Sequence, residues 1–263
     1  MCLLDGGRRF WQTDGSMENP RQDNFFRNRR WFLLLLGLAS FAAYRLVPRP
    51  TVGAWLAHYL NARVGGPGLT FWGHSVAGLA ATLLGLGALW RTWGSAYLGA
   101  HVVQDKEMHT NRLVGDGPYR HTRNPLYFGN MLMVLGLGLL FGPVACLVLV
   151  VGMWILIHLF IRDEEAGLEQ SRGESYRAYC AAVPRLVPAW RPRIPAAGAR
   201  AHWLQGICGE GMLWMLTILT TGLAITLNPE WFRQGLLWGV VIAAPVFIWA
   251  RRHGKVQAAS ESA

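Results

Sequence analysis

The chain has 263 residues, of which 52% are hydrophobic and only 15% carry a formal charge. Soluble domains have roughly 25% charged residues, so this composition indicates that lipid is part of the solvent. The net charge of +10 comes from basic residues between apolar runs, which favours anionic lipid as a partner over a nucleic acid. The four cysteines show no CxxC spacing, so neither a disulfide framework nor a metal site is predicted.

The first part of the chain predicts two spans. Residues 1–30 are polar and rich in arginine, and we expect this segment to be irregular. Trp31–Tyr44 is short for a span of roughly 17–25 residues and reaches that length only if the flanking arginines extend to the interface. Leu69–Trp90 is long enough to span. The loop between them predicts a short interfacial helix around Trp55 and Tyr59.

The second part predicts two helical hairpins. Pro125–Ile161 contains no formal charge and is interrupted at Gly142-Pro143, which indicates two spans joined by a tight turn. Gly211–Asn228 and Gly235–Ala250 form a second predicted pair. The sequence therefore predicts an all-α fold, a polytopic membrane bundle of about six transmembrane helices.

The basic residues predict the orientation of this bundle. They lie before the first span and after the second, fourth and sixth, so all four groups fall on one side of the membrane. The positive-inside rule makes that side cytoplasmic, with both termini there. We expect an integral membrane protein, in the inner membrane if the protein is bacterial. The predicted organisation is a polar segment (1–30), a core of four spans (31–195) and a C-terminal hairpin with a basic tail (196–263).

Two predicted cytoplasmic stretches bracket the central hairpin. They are 104–129 and 162–188, and both are richer in polar residues than a connector requires. Because a hairpin returns to the face from which it started, Arg123–Tyr127 and Arg162–Glu165 should meet at one membrane surface. Charged contacts are stronger at such a low-dielectric boundary than in water.

The motifs in these stretches resemble a known family. The first stretch contains Gln104, Leu113-Val114, Gly117-Pro118-Tyr119 and Arg123-Asn124-Pro125-Leu126-Tyr127-Phe128-Gly129. The second contains Glu164-Glu165, Leu168, Gly173, Tyr176, Tyr179 and Val183-Pro184-Arg185. In order and spacing, residues 85–190 resemble the membrane methyltransferases that include isoprenylcysteine carboxyl methyltransferase and the phospholipid methyltransferases. Two residues depart from the pattern: Asn124 stands where the family often has His, and Arg172 where Phe usually precedes the glycine.

The resemblance implies methyl transfer from S-adenosylmethionine to a lipophilic acceptor at the cytoplasmic membrane face. The acceptor would be an isoprenoid, a prenyl carboxylate or a phospholipid. The implied catalytic residues are Arg123, Arg162 and Glu165. The implied cofactor-binding residues are Gln104, Asn111, Arg112, Leu113, Val114, Gly117, Tyr119, Asn124, Pro125, Tyr127 and Glu164. Either Glu164 or Glu165 would suit the cofactor ammonium, and that choice is open.

Several alternatives also remain open at this point. Membrane sterol reductases are similar in their cofactor half and use NADPH, and a non-catalytic membrane scaffold would keep the same pocket. Neither the acceptor, the role of the C-terminal hairpin nor the oligomeric state follows from the sequence. Gly136, Gly138 and Gly142 favour helix packing over dinucleotide binding, because no strand precedes them. Glu210 is predicted to be a simple boundary residue at the start of the fifth span.

Overall fold

The computed structural model describes the backbone of residues 20–47, 49–104 and 115–239, and the side chains of 31–47, 49–98 and 115–239. Within these ranges the chain forms helices and no strand, which confirms the all-α prediction there. The α-helices are α1 (Pro20–Leu46), α2 (Val52–Val64), α3 (Leu69–Gln104), α4 (Pro125–Gly138), α5 (Pro143–Ala182), α6 (Trp203–Gly209) and α7 (Gly211–Thr226). A 3-10 helix spans Gly117–Arg120, and residues 229–239 are also helical.

Two of the described helices are long and apolar enough to cross a membrane. They are Leu69–Leu98 within α3 and the whole of α5. Helices α6 and α7 make a third candidate span if the pair, bent by 66°, counts as one. Trp31–Leu46 and α4 are apolar but shorter. The predicted sixth span lies mostly outside the described residues, so the number of six stays a prediction.

Three helices extend past the apolar runs that predicted them. Helix α1 begins at Pro20, so the expectation of an irregular segment is wrong for residues 20–30. Helix α3 continues past Arg91 to Gln104, and α5 continues past Ile161 to Ala182. A charged residue ends an apolar run, but Arg and most polar residues are compatible with a helix, so the backbone hydrogen bonding continues.

The central hairpin has the predicted turn. Helix α4 ends at Gly138, and Pro143 occupies the first turn of α5, where its missing N–H costs nothing. The predicted helix between the first two spans is also present, as α2, and its start lies against this turn. Val52 N donates to Phe141 O at 2.8 Å, and Gly53 N donates to Leu139 O at 2.8 Å.

Glycines bring the helices close to one another around α3. A Cβ atom at Gly87 would lie 2.7 Å from Gly129 O on α4, and one at Gly136 would lie 2.8 Å from Ala80 O on α3. Gly138 faces α5, where a Cβ would lie 2.9 Å from Cys146 Sγ. The interpretation of Gly136 and Gly138 as packing residues is confirmed, whereas a Cβ at Gly142 would make only an ordinary contact, 3.5 Å from Arg49 O.

Candidate active site

The two predicted polar stretches meet at one cavity of about 730 Å³. This volume lies in the range of roughly 300–1,000 Å³ that is typical of small-molecule sites. Its lining includes predicted site residues from the 3-10 helix, the connector that follows it, α4 and α5: Tyr119, Arg123, Asn124, Pro125, Tyr127, Glu164 and Glu165. Apolar side chains of α5, among them Met153, Ile157 and Phe160, line the same cavity.

Arg123 and Glu165 form an ion pair across the cavity. Arg123 Nη1 lies 3.0 Å from Glu165 Oε1 and donates to Cys180 Sγ at 2.6 Å. Arg185 Nε donates to the other carboxylate oxygen of Glu165 at 2.9 Å. Two guanidinium groups therefore surround one carboxylate, which fixes the position of Arg123.

The second link between the stretches is a hydrogen bond from Tyr127 to Glu164. The phenolic hydroxyl donates to Glu164 Oε1 at 2.9 Å. The Tyr127 ring also lies 6.4 Å, centroid to centroid, from that of Phe160. Together with the Arg123–Glu165 pair, this bond confirms that the entry and the exit of the central hairpin converge on one site.

Two buried polar atoms of the ion pair have unused hydrogen-bonding capacity. Arg123 Nε and Glu165 Oε1 have no hydrogen-bond partner among the described residues. The 3.0 Å contact between Arg123 Nη1 and Glu165 Oε1 is one of charge, without hydrogen-bond geometry. Buried polar atoms are normally satisfied, so a polar ligand in this cavity would find a donor and an acceptor ready.

The 3-10 helix gives the cavity a neutral aromatic wall. Gly117 has φ +56°, and a Cβ at this position would overlap the Tyr97 ring, so the turn requires glycine. Tyr119 is buried, and its carbonyl oxygen accepts a hydrogen bond from the Tyr179 hydroxyl at 2.8 Å. Burial, with Tyr179 and Glu164 nearby, raises the pKa of the Tyr119 phenol above its ordinary value. Tyr119 therefore remains a neutral ring at physiological pH.

Asn124, the departure from the family pattern, has a structural partner. Its side-chain Nδ2 donates to Arg185 O at 2.9 Å. Arg123 N, one residue earlier, donates to Pro184 O at 2.9 Å. The amide that was expected to hold the cofactor thus also fixes the segment after α5, although Asn124 still lines the cavity. Pro125 is buried at the start of α4.

One predicted site residue lies away from the cavity, and five others fall wholly or partly outside the described residues. Arg162 is exposed on α5 and is not among the residues that line this cavity. Gln104 is the last residue of α3, but its side chain is outside the described set. Four further predicted cofactor residues also lie outside the described residues: Asn111, Arg112, Leu113 and Val114.

Sequence reasoning missed a second charged cluster beside the cavity. Arg91 donates from Nε to Glu210 Oε2 at 2.9 Å and from Nη2 to Glu210 Oε1 at 2.8 Å. Its Nη1 donates to Asn130 Oδ1 at 2.8 Å. Glu210 does lie directly before α7, but it is buried and ion-paired rather than a simple boundary residue. The sequence did contain a signal for this cluster: Arg91 is a charged residue in an apolar helix, and such a charge needs a partner.

A buried carboxylate fixes the segment that follows α5. Asp116 accepts from Ala197 N at 2.8 Å through one carboxylate oxygen and from Ala199 N at 2.6 Å through the other. Thr122, which is also buried, donates to Leu186 O at 2.9 Å. The residues after the second motif therefore pack against those of the first.

Comparison with known proteins found two matches, both to methyltransferases. A family model described as phospholipid methyltransferase matches residues 72–173. The resemblance seen in the sequence is thereby confirmed over the part of the chain that carries the ion pair. The chain is also 34% identical, over 90 residues, to the protein-S-isoprenylcysteine O-methyltransferase of Schizosaccharomyces pombe.

These matches have a defined extent. The aligned 90 residues are 34% of this chain and span only 38% of the length of the yeast protein. The comparison with solved structures found no match. Both matches are to methyltransferases by name, and the family match ends at residue 173, well before Glu210.

Proposed function

We propose that this protein transfers a methyl group from S-adenosylmethionine to a lipophilic acceptor at the cytoplasmic face of a membrane. The acceptor classes that we consider are isoprenoids, prenyl carboxylates and phospholipids. One observation carries the proposal: Arg123 and Tyr127 meet Glu165 and Glu164 in a single cavity. That cavity is bordered by apolar helices, so a lipid tail can reach it without crossing water.

The residues present fit the cofactor. S-adenosylmethionine supplies an electrophilic methyl group on a positively charged sulfonium, and its amino-acid end carries an ammonium and a carboxylate. Glu164, oriented by the Tyr127 hydroxyl, would hold the ammonium through a charge-assisted hydrogen bond. The Tyr119 and Tyr127 rings would lie against the adenine or the sulfonium by stacking or cation–π contact.

The structure favours different roles for the two glutamates. Both carboxylate oxygens of Glu165 lie against arginines, Arg123 on one side and Arg185 on the other. We therefore assign Glu165 to positioning Arg123, and Glu164 to the cofactor. Arg162 lies outside this arrangement and is left out of the proposal.

The protein would contribute to the rate by position and by excluding water. Arg123 is held on several sides, so it can orient an anionic group of the cofactor or acceptor with little further loss of freedom. Met153, Ile157 and Phe160 make the adjoining wall apolar. In such an environment, the charge lost during methyl transfer need not be resolvated.

Titration calorimetry with S-adenosylhomocysteine tests the cofactor site. We expect the detergent-purified protein to bind this product analogue, and Glu164→Gln to weaken binding at least tenfold, since a charge-assisted hydrogen bond contributes about 1.5–3 kcal/mol. Glu230→Gln, which changes an exposed glutamate outside the cavity, is the matched control. Folded protein that binds NADPH but not S-adenosylhomocysteine would favour the reductase, and protein that binds neither would favour the scaffold.

Mass spectrometry tests the acceptor. Membranes that contain the protein would be supplied with S-adenosylmethionine carrying an isotopically labelled methyl group. We expect the label in a lipid or prenylated fraction, and not in membranes that contain the Glu164→Gln variant. Label that stays in the cofactor while S-adenosylhomocysteine still binds would contradict the proposed reaction.

A further inference from the structure

Arg91 is a charged residue in an otherwise uncharged membrane-length helix. No other Asp, Glu, Lys or Arg occurs in Leu69–Leu98, and Glu210 is likewise the only such residue in 203–226. Ionisable residues inside membrane segments are costly and usually serve a function. The side chain of Arg91 is 21% exposed and that of Glu210 only 7%.

Several contacts fix the guanidinium of Arg91 in place. Glu210 accepts two hydrogen bonds from it, and Ser95 Oγ donates to Glu210 Oε1 at 2.7 Å. On the other side, Asn130 accepts from Arg91 Nη1. The absence of a side chain at Gly129 gives Arg91 room, because a Cβ there would lie 2.5 Å from Arg91 Cγ.

Of this ion pair, the cation lines the cavity and the anion does not. Arg91 and Asn130 line the cavity, whereas Glu210 is not among its lining residues. Among the described residues, the hydrogen bonds of Arg91 use four of its five N–H groups, counting a long contact of 3.5 Å to Leu126 O. A donor therefore remains for a ligand.

We propose that Arg91 is a second cationic anchor in the cavity, which binds an oxyanion of the lipophilic acceptor, and that Glu210 positions it. The oxyanion would be the carboxylate of a prenylated thiol or the phosphate of a phospholipid. Apolar lining residues, among them Leu33, Leu98 and Met153, would accommodate the tail. The inference rests on the proposed function and adds that helices α6 and α7, beyond the family match, help to build the acceptor site.

Acceptor binding in a double variant tests this anchor. Arg91→Gln with Glu210→Gln removes both charges and keeps side chains that can hydrogen-bond to each other, so no lone charge is left buried. The matched control is Arg233→Gln with Glu230→Gln, which neutralises an exposed pair bonded at 2.7 Å. Retained S-adenosylhomocysteine binding shows that each variant is folded, and Arg91→Lys serves as the conservative variant.

Two pairs of probes separate the possible sources of the oxyanion. One pair is N-acetyl-S-farnesylcysteine and its methyl ester, and the other is phosphatidic acid and diacylglycerol with the same chains. Binding to the detergent-purified chain is followed by tryptophan fluorescence. We expect the wild type and the control to prefer the anion of one pair at least about tenfold, because a hydrogen bond to a charged group contributes about that factor.

In the double variant we expect the preference for the anion to fall about tenfold, and in Arg91→Lys we expect a smaller fall. A preference for the anion that is unchanged in the double variant, or that is absent from the wild type for both pairs, would overturn the proposal. A double variant that no longer binds S-adenosylhomocysteine is replaced by Arg91→Lys alone, for which an unchanged preference and affinity would overturn it. Wild-type protein without S-adenosylhomocysteine binding would instead contradict the proposed function.

Discussion

The Tyr127 hydroxyl donates a hydrogen bond to Glu164, and a substitution of this one residue tests what the bond contributes. Tyr127→Phe keeps the ring but leaves the carboxylate less well oriented. A hydrogen bond to a charged group contributes about 1.5 kcal/mol or more, so we expect the Kd for S-adenosylhomocysteine to rise roughly tenfold. Calorimetry measures this change. Tyr59→Phe, at an exposed tyrosine of α2, should bind normally.

Asn124 offers a second prediction at this scale. Its Nδ2 bond to Arg185 O is neutral, so Asn124→Ala should destabilise the protein by about 1 kcal/mol. A histidine, which the family often has here, carries a ring N–H that can donate to the same carbonyl. We expect Asn124→His to retain the thermal unfolding temperature that Asn124→Ala loses. Equal losses in the two variants would show that the carbonyl bond is not what this position supplies.

How much of the site can be predicted from the sequence depends on how far apart two partner residues lie along the chain. The proximity of Arg123 and Glu165 could be predicted from the sequence, because the turn at Gly142-Pro143 places both ends of the hairpin on one side of the membrane. Arg91 and Glu210 are 119 residues apart, and no local pattern pairs them. That contact depends on how α6 crosses α3, where a Cβ at Gly206 would lie 2.7 Å from Thr92 O.

Among the helices, the contact between α3 and α4 is sensitive to added volume. A Cβ at Gly87 would lie 2.7 Å from the backbone oxygen of Gly129, which cannot move without displacing the helix. We expect Gly87→Ala to destabilise the protein by about 1–3 kcal/mol. Gly78→Ala changes the same helix where no atom lies within 4 Å, so it should be neutral or slightly stabilising. Thermal unfolding in detergent distinguishes the two, and equal shifts would argue against this packing.

The extents of the helices show what an apolar pattern can predict. The pattern locates Leu69–Trp90 and the hairpin because lipid contact selects apolar side chains. It does not locate the end of α3 at Gln104 or of α5 at Ala182, since a charged residue ends an apolar run without ending the helix. The kink at Gly173, with φ +52°, separates the cavity-lining Tyr176 and Tyr179 from the long part of α5, and only the glycine itself hints at it.

For the molecule as a whole, the orientation in the membrane remains a prediction. The basic groups before the first span and after the second, fourth and sixth predict that both termini face the cytoplasm. In a bacterial host, we expect green fluorescent protein fused to either terminus to fluoresce. Alkaline phosphatase inserted after Gly66, between α2 and α3, should be active because it would be exported. An inactive insertion with fluorescent termini would mean that this loop also faces the cytoplasm.

The Arg91–Glu210 pair also bears on how the protein enters the membrane. Glu210 lies at the break between α6 and α7, and a carboxylate that enters a membrane segment without a partner is costly. Ribosomal synthesis delivers α3 before α6 and α7, so the Arg91 guanidinium is already present when these two helices leave the translocon. The order of helices along the gene thus suits the order of assembly, and a circular permutant that makes α6 and α7 first would insert them less efficiently.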